Sequence, residues 1–177
     1  ANKNIIEINR QINKYNPQYF LISEYKIYKK IKNKFKFKKI KIINKINDLK
    51  IKKKIDITVS AIPGITGLPP TLLFTEFSKK VLIANKESII CGWSLIKQVA
   101  KKNNTLLIPV DSEHYSILKL LEHTNIENIK KIFITASGGP FLNYKISDLK
   151  KVTPKEALKH PKWKMGKNNL IDSSNFI

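Results

Sequence analysis

Strand-like and helix-like segments alternate along most of this chain, and that alternation leaves few ways to fold. Ile55 to Ile62, Val81 to Ala84 and Leu106 to Val110 are short apolar runs; Leu68 to Phe77 and Lys86 to Ala100, between them, return to helical spacing. A strand followed by a helix and a second strand rejoins its sheet in parallel, through a right-handed crossover. The fold class expected is α/β, with a doubly wound parallel sheet. Ile55 to Ile62 carries Val and Thr and predicts a strand buried on both faces. Gln18 to Ile22, Lys38 to Ile43 and Ile132 to Thr135 read as further strands. Ile5, Ile8 and Ile12 recur at helical spacing with Pro17 just beyond, and Ser23 suits the N-cap of a helix through Tyr28 and Ile31. Ser116 to Leu121 is helix or turn. Thr153-Pro154-Lys155-Glu156 is a capping box with proline at the first helical position, and Pro161 ends its helix. Ligands of such sheets sit at the carboxyl ends of strands, so the loops after Ile62, Ala84, Val110 and Thr135 are where chemistry is expected.

The charge is lopsided: 34 Lys+Arg against 13 Asp+Glu in 177 residues, a net +21. Such a balance invites a nucleic-acid reading, because neutralised phosphates release counterions. The residue types weaken it. Arg10 is the only arginine, and arginine supplies the bidentate fork that reads phosphates and guanine edges. Lys, Asn and Ile are enriched together between Lys26 and Lys54, and all three have adenine- and thymine-rich codons. The stretch is still periodic, so it is expected to be ordered. Lys34-Phe35-Lys36-Phe37-Lys38 interleaves aromatic and basic residues, as a lysine-studded strand face also does. With 42% hydrophobic residues the chain can bury a core. One cysteine, Cys91, excludes an internal disulfide and a zinc-finger scaffold, and it reads as a core residue. No run reaches the roughly 18 apolar residues of a membrane span, and the first residues lack the apolar core of a secretory signal.

Several constellations can carry chemistry. Asp111 and Glu113 follow the third apolar run two residues apart. An extended backbone would put both carboxylates on one face, which suits a hard divalent cation; the same pair also reads as a polar loop start with an N-cap aspartate. His114, beside them, is a metal ligand or a residue supporting one. Ser137-Gly138-Gly139-Pro140 is an anion-binding turn or a plain glycine turn. Lys86, between a buried strand and a helix start, points to a phosphate or a developing oxyanion; alternatively it is a solvated lysine in a helix capped by Asn85. His160-Pro161-Lys162-Trp163 reads as a lid, or as a helix terminus anchored by one indole.

Taken in order, Ala84-Asn85-Lys86-Glu87-Ser88, Pro109-Val110-Asp111-Ser112-Glu113-His114, Ser137-Gly138-Gly139-Pro140-Phe141, Thr153-Pro154 and His160-Pro161-Lys162-Trp163-Lys164-Met165-Gly166 resemble the 1-deoxy-D-xylulose 5-phosphate reductoisomerase family. The resemblance is strong from Ile55 onward and looser before it. It implies an NADPH- and divalent-metal-dependent enzyme of non-mevalonate isoprenoid synthesis, with Mg²⁺, Mn²⁺ or Co²⁺. Its substrate would be a small phosphosugar, rearranged by retro-aldol cleavage and re-addition and then reduced to 2-C-methyl-D-erythritol 4-phosphate. It implies a Rossmann-like doubly wound sheet over 1–110, the later part of an NADPH-binding domain. The start of an α/β catalytic domain would follow over 111–177, with a flexible lid at about 138–167.

Residue by residue, the resemblance makes Asp111 and Glu113 metal ligands, and Lys86, Asp111, Glu113 and His160 catalytic. It makes Ser112, Ser137, Trp163, Met165 and Ser173 substrate-binding. Asn2, Lys3, Asn4, Ala61, Ile62, Asn85 and Glu87 would bind the cofactor, with Asn2 where the family usually has glycine. The family's glycine-rich opening has no counterpart before Ala1, and its third metal glutamate would lie beyond Ile177. The chain is therefore expected to be an internal fragment, inactive alone, from an enzyme that is a homodimer at full length. It is expected to bind neither specific nucleic acid nor membrane. The Lys/Asn/Ile bias suits a plastid of apicomplexan type, with bacterial cytoplasm as the alternative. The rival readings are a lysine-rich nucleic-acid-binding module and a different nucleotide-binding α/β protein.

Overall fold

The computed structural model describes residues 3–134 and 138–159. Two compact units divide between residues 120 and 121. In the first unit the described elements are α1 (Ile5–Tyr15), β1 (Tyr19–Leu21), α2 (Tyr25–Lys34), β2 (Lys41–Ile43), β3 (Ile55–Ser60), α3 (Leu68–Phe77), β4 (Ser78–Ile83), α4 (Lys86–Asn103), β5 (Leu106–Pro109) and α5 (Ser112–Leu121). The α/β class with parallel strands is as the alternation predicts. The strands fall in two sheets, β1–β2 and β3–β4–β5, each parallel throughout.

The lysine- and isoleucine-rich part is ordered. Asn4 caps α1 by accepting the Glu7 amide at 3.0 Å, and Asn16 closes it in the left-handed conformation, φ 42°. Ile8 and Ile12 lie on the inner face of α1 and are buried with Ile22, Ile31, Phe35 and Ile42. Each such side chain contributes about 1.5–3 kcal/mol of burial. The helix of Ser23 starts one residue later than expected: Glu24 holds the N-cap position of α2, with no side-chain cap.

In the larger sheet the strand order follows the chain order. Successive right-handed crossovers in one direction place α3 and α4 on the same face, and the two helices pack together. A Cβ at Gly92 of α4 would come within 2.4 Å of the Leu68 side chain, so glycine there permits the close approach. The expectation of strands buried on both faces fails for β3. Its partners in register, Thr58 with Val81 and Ser60 with Ile83, line the helix side. Ile57 and Val59 turn the other way and are 55% and 60% exposed. Hydroxyls explain the inversion. Ser60 Oγ bonds Thr71 Oγ1, Thr58 Oγ lies 2.7 Å from Ser78 Oγ, and Thr105 Oγ1 donates to the carbonyls of Thr75 and Ser78. Small bonded side chains let the helices sit close to the sheet. Cys91, expected in the core, is exposed on α4.

Among its described residues the second unit carries a 3-10 turn at Ile126–Asn128 and two short α-helices, α6 (Ile146–Leu149) and α7 (Pro154–Ala157). The capping box of α7 forms as predicted: Thr153 Oγ1 accepts the Glu156 amide, and Glu156 accepts the Thr153 amide at 2.7 Å. Pro161 lies outside the described residues. The strand expected from Ile132 is absent over 132–134, where Phe133 is 83% exposed. Gly138 has φ +71°, a turn conformation that favours glycine. Among the described residues no helix is long and apolar enough to cross a membrane.

Candidate functional site

The candidate residues after β3, β4 and β5 sit at the carboxyl ends of these strands, where ligands of such sheets bind. After β4 the chain reaches Asn85, which caps α4 by accepting the Ser88 amide at 2.5 Å. Lys86 is the first residue of α4. After β5 it reaches Asp111, which precedes α5. A cleft of about 450 Å³ opens between them, with Lys86, Asp111 and His114 on its lining. Its walls are apolar: Ile89, Ile90 and Trp93 from α4, Ile83, Leu107 and Pro109 from the strands. The volume and the few convergent polar groups are those of a small-molecule site.

Asp111 is held firmly. Its Oδ1 accepts the His114 backbone amide at 3.0 Å, and His114 Nδ1 lies 2.7 Å from the same oxygen. Its side chain is 25% exposed. Burial pushes the carboxyl pKa up, but the amide and ring of His114 together outweigh it and hold the group below its ordinary value of 3.8. Both bonds from His114 fall on Oδ1. The extended geometry expected for Asp111 and Glu113 is not found, because the chain enters α5 at Ser112. Asp111 is the residue before the helix and Glu113 stands in its first turn. Ser112 Oγ donates to Glu113 Oε2 at 2.9 Å. Among the described residues no three His, Cys, Asp or Glu side chains gather as a metal site.

On the other side of Lys86 lies the loop after β3, with Ala61 and Ile62 exposed at its start. A smaller hollow of about 220 Å³ is lined there by Ser60, Ile62, Gly67 and Thr71. Asn85 Nδ2 donates to the carbonyls of Ile62 and Gly64, and Glu87 Oε1 accepts the Gly64 amide at 3.2 Å. Asn85, Lys86 and Glu87 thus stand between this loop and the larger cleft. Asn4 is committed to capping α1, with Lys3 just before it. Asn2, Ser137, His160, Trp163, Met165 and Ser173 lie outside the described residues.

Sequence reasoning missed two things. Trp93 and Ile90 line the cleft; Lys86 and Ile90 stand at i and i+4, but the non-helical backbone of Gly92 intervenes before Trp93. The bonds from Asn85 and Glu87 to a loop more than twenty residues earlier leave no local signal.

Comparison with known proteins gives a consistent picture. Residues 1–92 match the family profile of 1-deoxy-D-xylulose 5-phosphate reductoisomerase, and residues 107–177 match the profile of that enzyme's C-terminal domain. A reductoisomerase of this name from Pelagibacter ubique is 42% identical over all of this chain and 47% of its own length. One from Clostridium novyi is 40% identical with the same coverage. The chain spans about half the length of the curated relatives it matches. Among solved structures, the Zymomonas mobilis enzyme in complex with NADPH superposes with a TM-score of 0.83 at 31% identity, over 98% of this chain and 45% of that one. DOX-P reductoisomerase in complex with NADPH, fosmidomycin and magnesium gives 0.80 at 28% identity, over 98% and 46%.

Proposed function

Because this chain belongs to the 1-deoxy-D-xylulose 5-phosphate reductoisomerase family, we propose that it carries part of the site that converts 1-deoxy-D-xylulose 5-phosphate to 2-C-methyl-D-erythritol 4-phosphate. The observation that carries this reading is the cleft at the ends of β4 and β5, onto which Lys86 and Asp111 both open. The donors fit a hard cation: Asp111 and Glu113 offer carboxylate oxygens and would hold Mg²⁺ or Mn²⁺. The loop of Ala61 and Ile62, with Lys3 and Asn4, would hold the dinucleotide. When bound, the cation supplies Lewis-acid polarisation and NADPH supplies hydride.

The chain's own residues do the rest. Lys86 presents its ammonium to the anionic substrate at the mouth of the cleft. His114 fixes the Asp111 carboxylate, and the apolar walls exclude water from the reacting groups. Ser112, next to Asp111 in the chain, would offer its hydroxyl to a substrate oxygen. Ser137 and Ser173 would add hydroxyls for the substrate phosphate, and His160, Trp163 and Met165 would cover it. By function, residues 1–110 are assigned to cofactor binding and 111–177 to metal and substrate, although the compact units divide ten residues later. The relatives named above are bacterial, so a bacterial cytoplasmic enzyme is proposed in place of a plastid one. Homodimeric assembly belongs to the same proposal and is read by sedimentation.

The test replaces the matching half of the Pelagibacter ubique relative with this sequence and follows NADPH oxidation with 1-deoxy-D-xylulose 5-phosphate. The full-length hybrid is expected to turn over, and the 177-residue chain alone is not. A folded hybrid with no turnover contradicts the proposal; turnover by the chain alone contradicts its second half.

A further inference from the structure

Helix α4 is not one straight rod. Its backbone leaves helical geometry at Gly92, with φ −136° and ψ 18°, and the helix is kinked there. Lys86, Ile89 and Ile90 line the cleft from before the kink, and Trp93 lines it from just after. We propose that Leu68 and Gly92 are positioning residues: the Leu68 side chain, seated where Gly92 has none, sets the bend in α4 and so the place of Lys86 in the cleft. This rests on the functional reading above and deepens it, by naming two residues that act through Lys86.

The buried ridge of α4 runs through Ser88, Gly92, Ile96 and Ala100, four residues apart. At Gly92 the ridge is interrupted. A Cβ there would stand 2.9 Å from Leu68 Cδ2 and 3.2 Å from its Cγ, and closer still to Cδ1. The branched end of Leu68 therefore occupies the space that a side chain at position 92 would take. Kinks in helices have identifiable causes, and an inserted side chain is one of them. Leu68 is the first residue of α3 and directly follows Gly67. Gly67 is itself packed against the Ile62 carbonyl, so the backbone that carries the wedge has little room to retreat.

The bend matters because Lys86 lies well away from it. At about 1.5 Å per residue, Lys86 stands roughly 9 Å along the axis from Gly92. A change of about 10° in the bend thus moves Lys86 by roughly 1.5 Å relative to Trp93 and the wall beyond it. A misplacement of about 1 Å is enough to cost up to about a hundredfold in rate.

The test is a pair of double-mutant cycles in the full-length hybrid, read as kcat/KM for 1-deoxy-D-xylulose 5-phosphate per folded protein. Gly92→Ala sets a methyl group against Leu68 and should lower kcat/KM about tenfold. Adding Leu68→Ala frees that space and should bring kcat/KM back to within about threefold of the unmodified hybrid. In a Lys86→Met background, Gly92→Ala should change kcat/KM by less than about twofold, because the ammonium it displaces is gone. A purely structural role would lower the folded fraction and show no such dependence on Lys86.

Unchanged kcat/KM in Gly92→Ala overturns the inference. So do equal losses with and without Lys86, a double variant no better than Gly92→Ala alone, or a Lys86→Met hybrid with normal kcat/KM. If Gly92→Ala does not fold, Leu68→Ala decides by the same cycle: a loss of about threefold or more that vanishes in Lys86→Met supports the inference, and any other result overturns it. An unmodified hybrid without turnover overturns the functional reading instead. The bend is then read in the 177-residue chain carrying Trp163→Phe, where Trp93 is the one tryptophan left. Gly92→Ala should shift the Trp93 emission and Leu68→Ala should restore it. No shift, or a shift that Leu68→Ala leaves in place, overturns the seating of Leu68 at the bend.

Discussion

The Asp111 carboxylate shows how one side chain reconciles two readings that compete in the sequence. It is the polar residue at a helix start, bonded to the His114 amide, and it also opens onto the cleft as a metal ligand must. Both bonds from His114 fall on Oδ1. On the function proposed above, His114 would orient the Asp111 carboxylate rather than bind the cation. In the full-length hybrid, His114→Ala should weaken Mn²⁺ binding about tenfold, and His114→Asn should recover part of the loss, as partners of metal ligands typically show. Paramagnetic titration of Mn²⁺ reads this; equal affinity in all three proteins would mean the ring bond orients nothing. The carboxylate pair was visible in the sequence, since its position after an apolar strand is a local pattern. Its geometry was not, because D-x-E reads alike as strand or as helix start.

At the scale of elements, glycine and capping decide local geometry. Gly67→Ala places a Cβ 2.4 Å from the Ile62 carbonyl and 2.7 Å from Asn85 Nδ2. A backbone oxygen cannot swing aside as a side-chain end can. The substitution should destabilise the chain by about 1–3 kcal/mol, the usual cost of overpacking; an unchanged denaturation midpoint would show that the loop has room. The cap of α7 makes a pH prediction. The Thr153 hydroxyl, then its amide, hold Glu156 below its ordinary 4.5. A carboxyl lowered in the folded state adds stability above its unfolded pKa and loses it as pH falls through the folded value. The cap should thus be intact above about pH 4.5 and melt below it. Carboxyl titration by NMR should find Glu156 returned toward 4.5 in Thr153→Ala, and no change would remove the cap as the cause. This capping box was fully legible, because all its parts lie within four residues. Strand β3 was not. The alternation of Ile57 and Val59 with Thr58 and Ser60 gives two faces, but only the hydroxyl bonds to α3 and β4 show that the polar one is inside.

For the whole molecule, the +21 charge says little about a partner. Arg10 is engaged by Glu7, with Nε 2.8 Å from Oε2. Lysines of the basic stretch lie over their own aromatic neighbours, Lys29 at 4.7 Å from the Tyr25 ring and Lys36 at 4.8 Å from Phe37. Ile31, Phe35 and Ile42 of the same stretch are buried core. The charge is thus the outer surface of a packed segment. The alternation of elements told the class and the parallel sense of the strands. It did not tell that they fall in two sheets, because which strands pair depends on contacts far apart in sequence. The cleft after β4 and β5 lies in the first unit, and there the proposed chemistry needs Asp111 as a cation ligand. The most direct measurement is turnover of the full-length hybrid as Mn²⁺ is varied, with Asp111→Asn beside the unmodified protein. Asp111→Asn should lose most of its metal-dependent turnover at every Mn²⁺ concentration while its fold stays intact by circular dichroism. Near-normal rates at low Mn²⁺ would contradict the account, because the cation would then be held elsewhere.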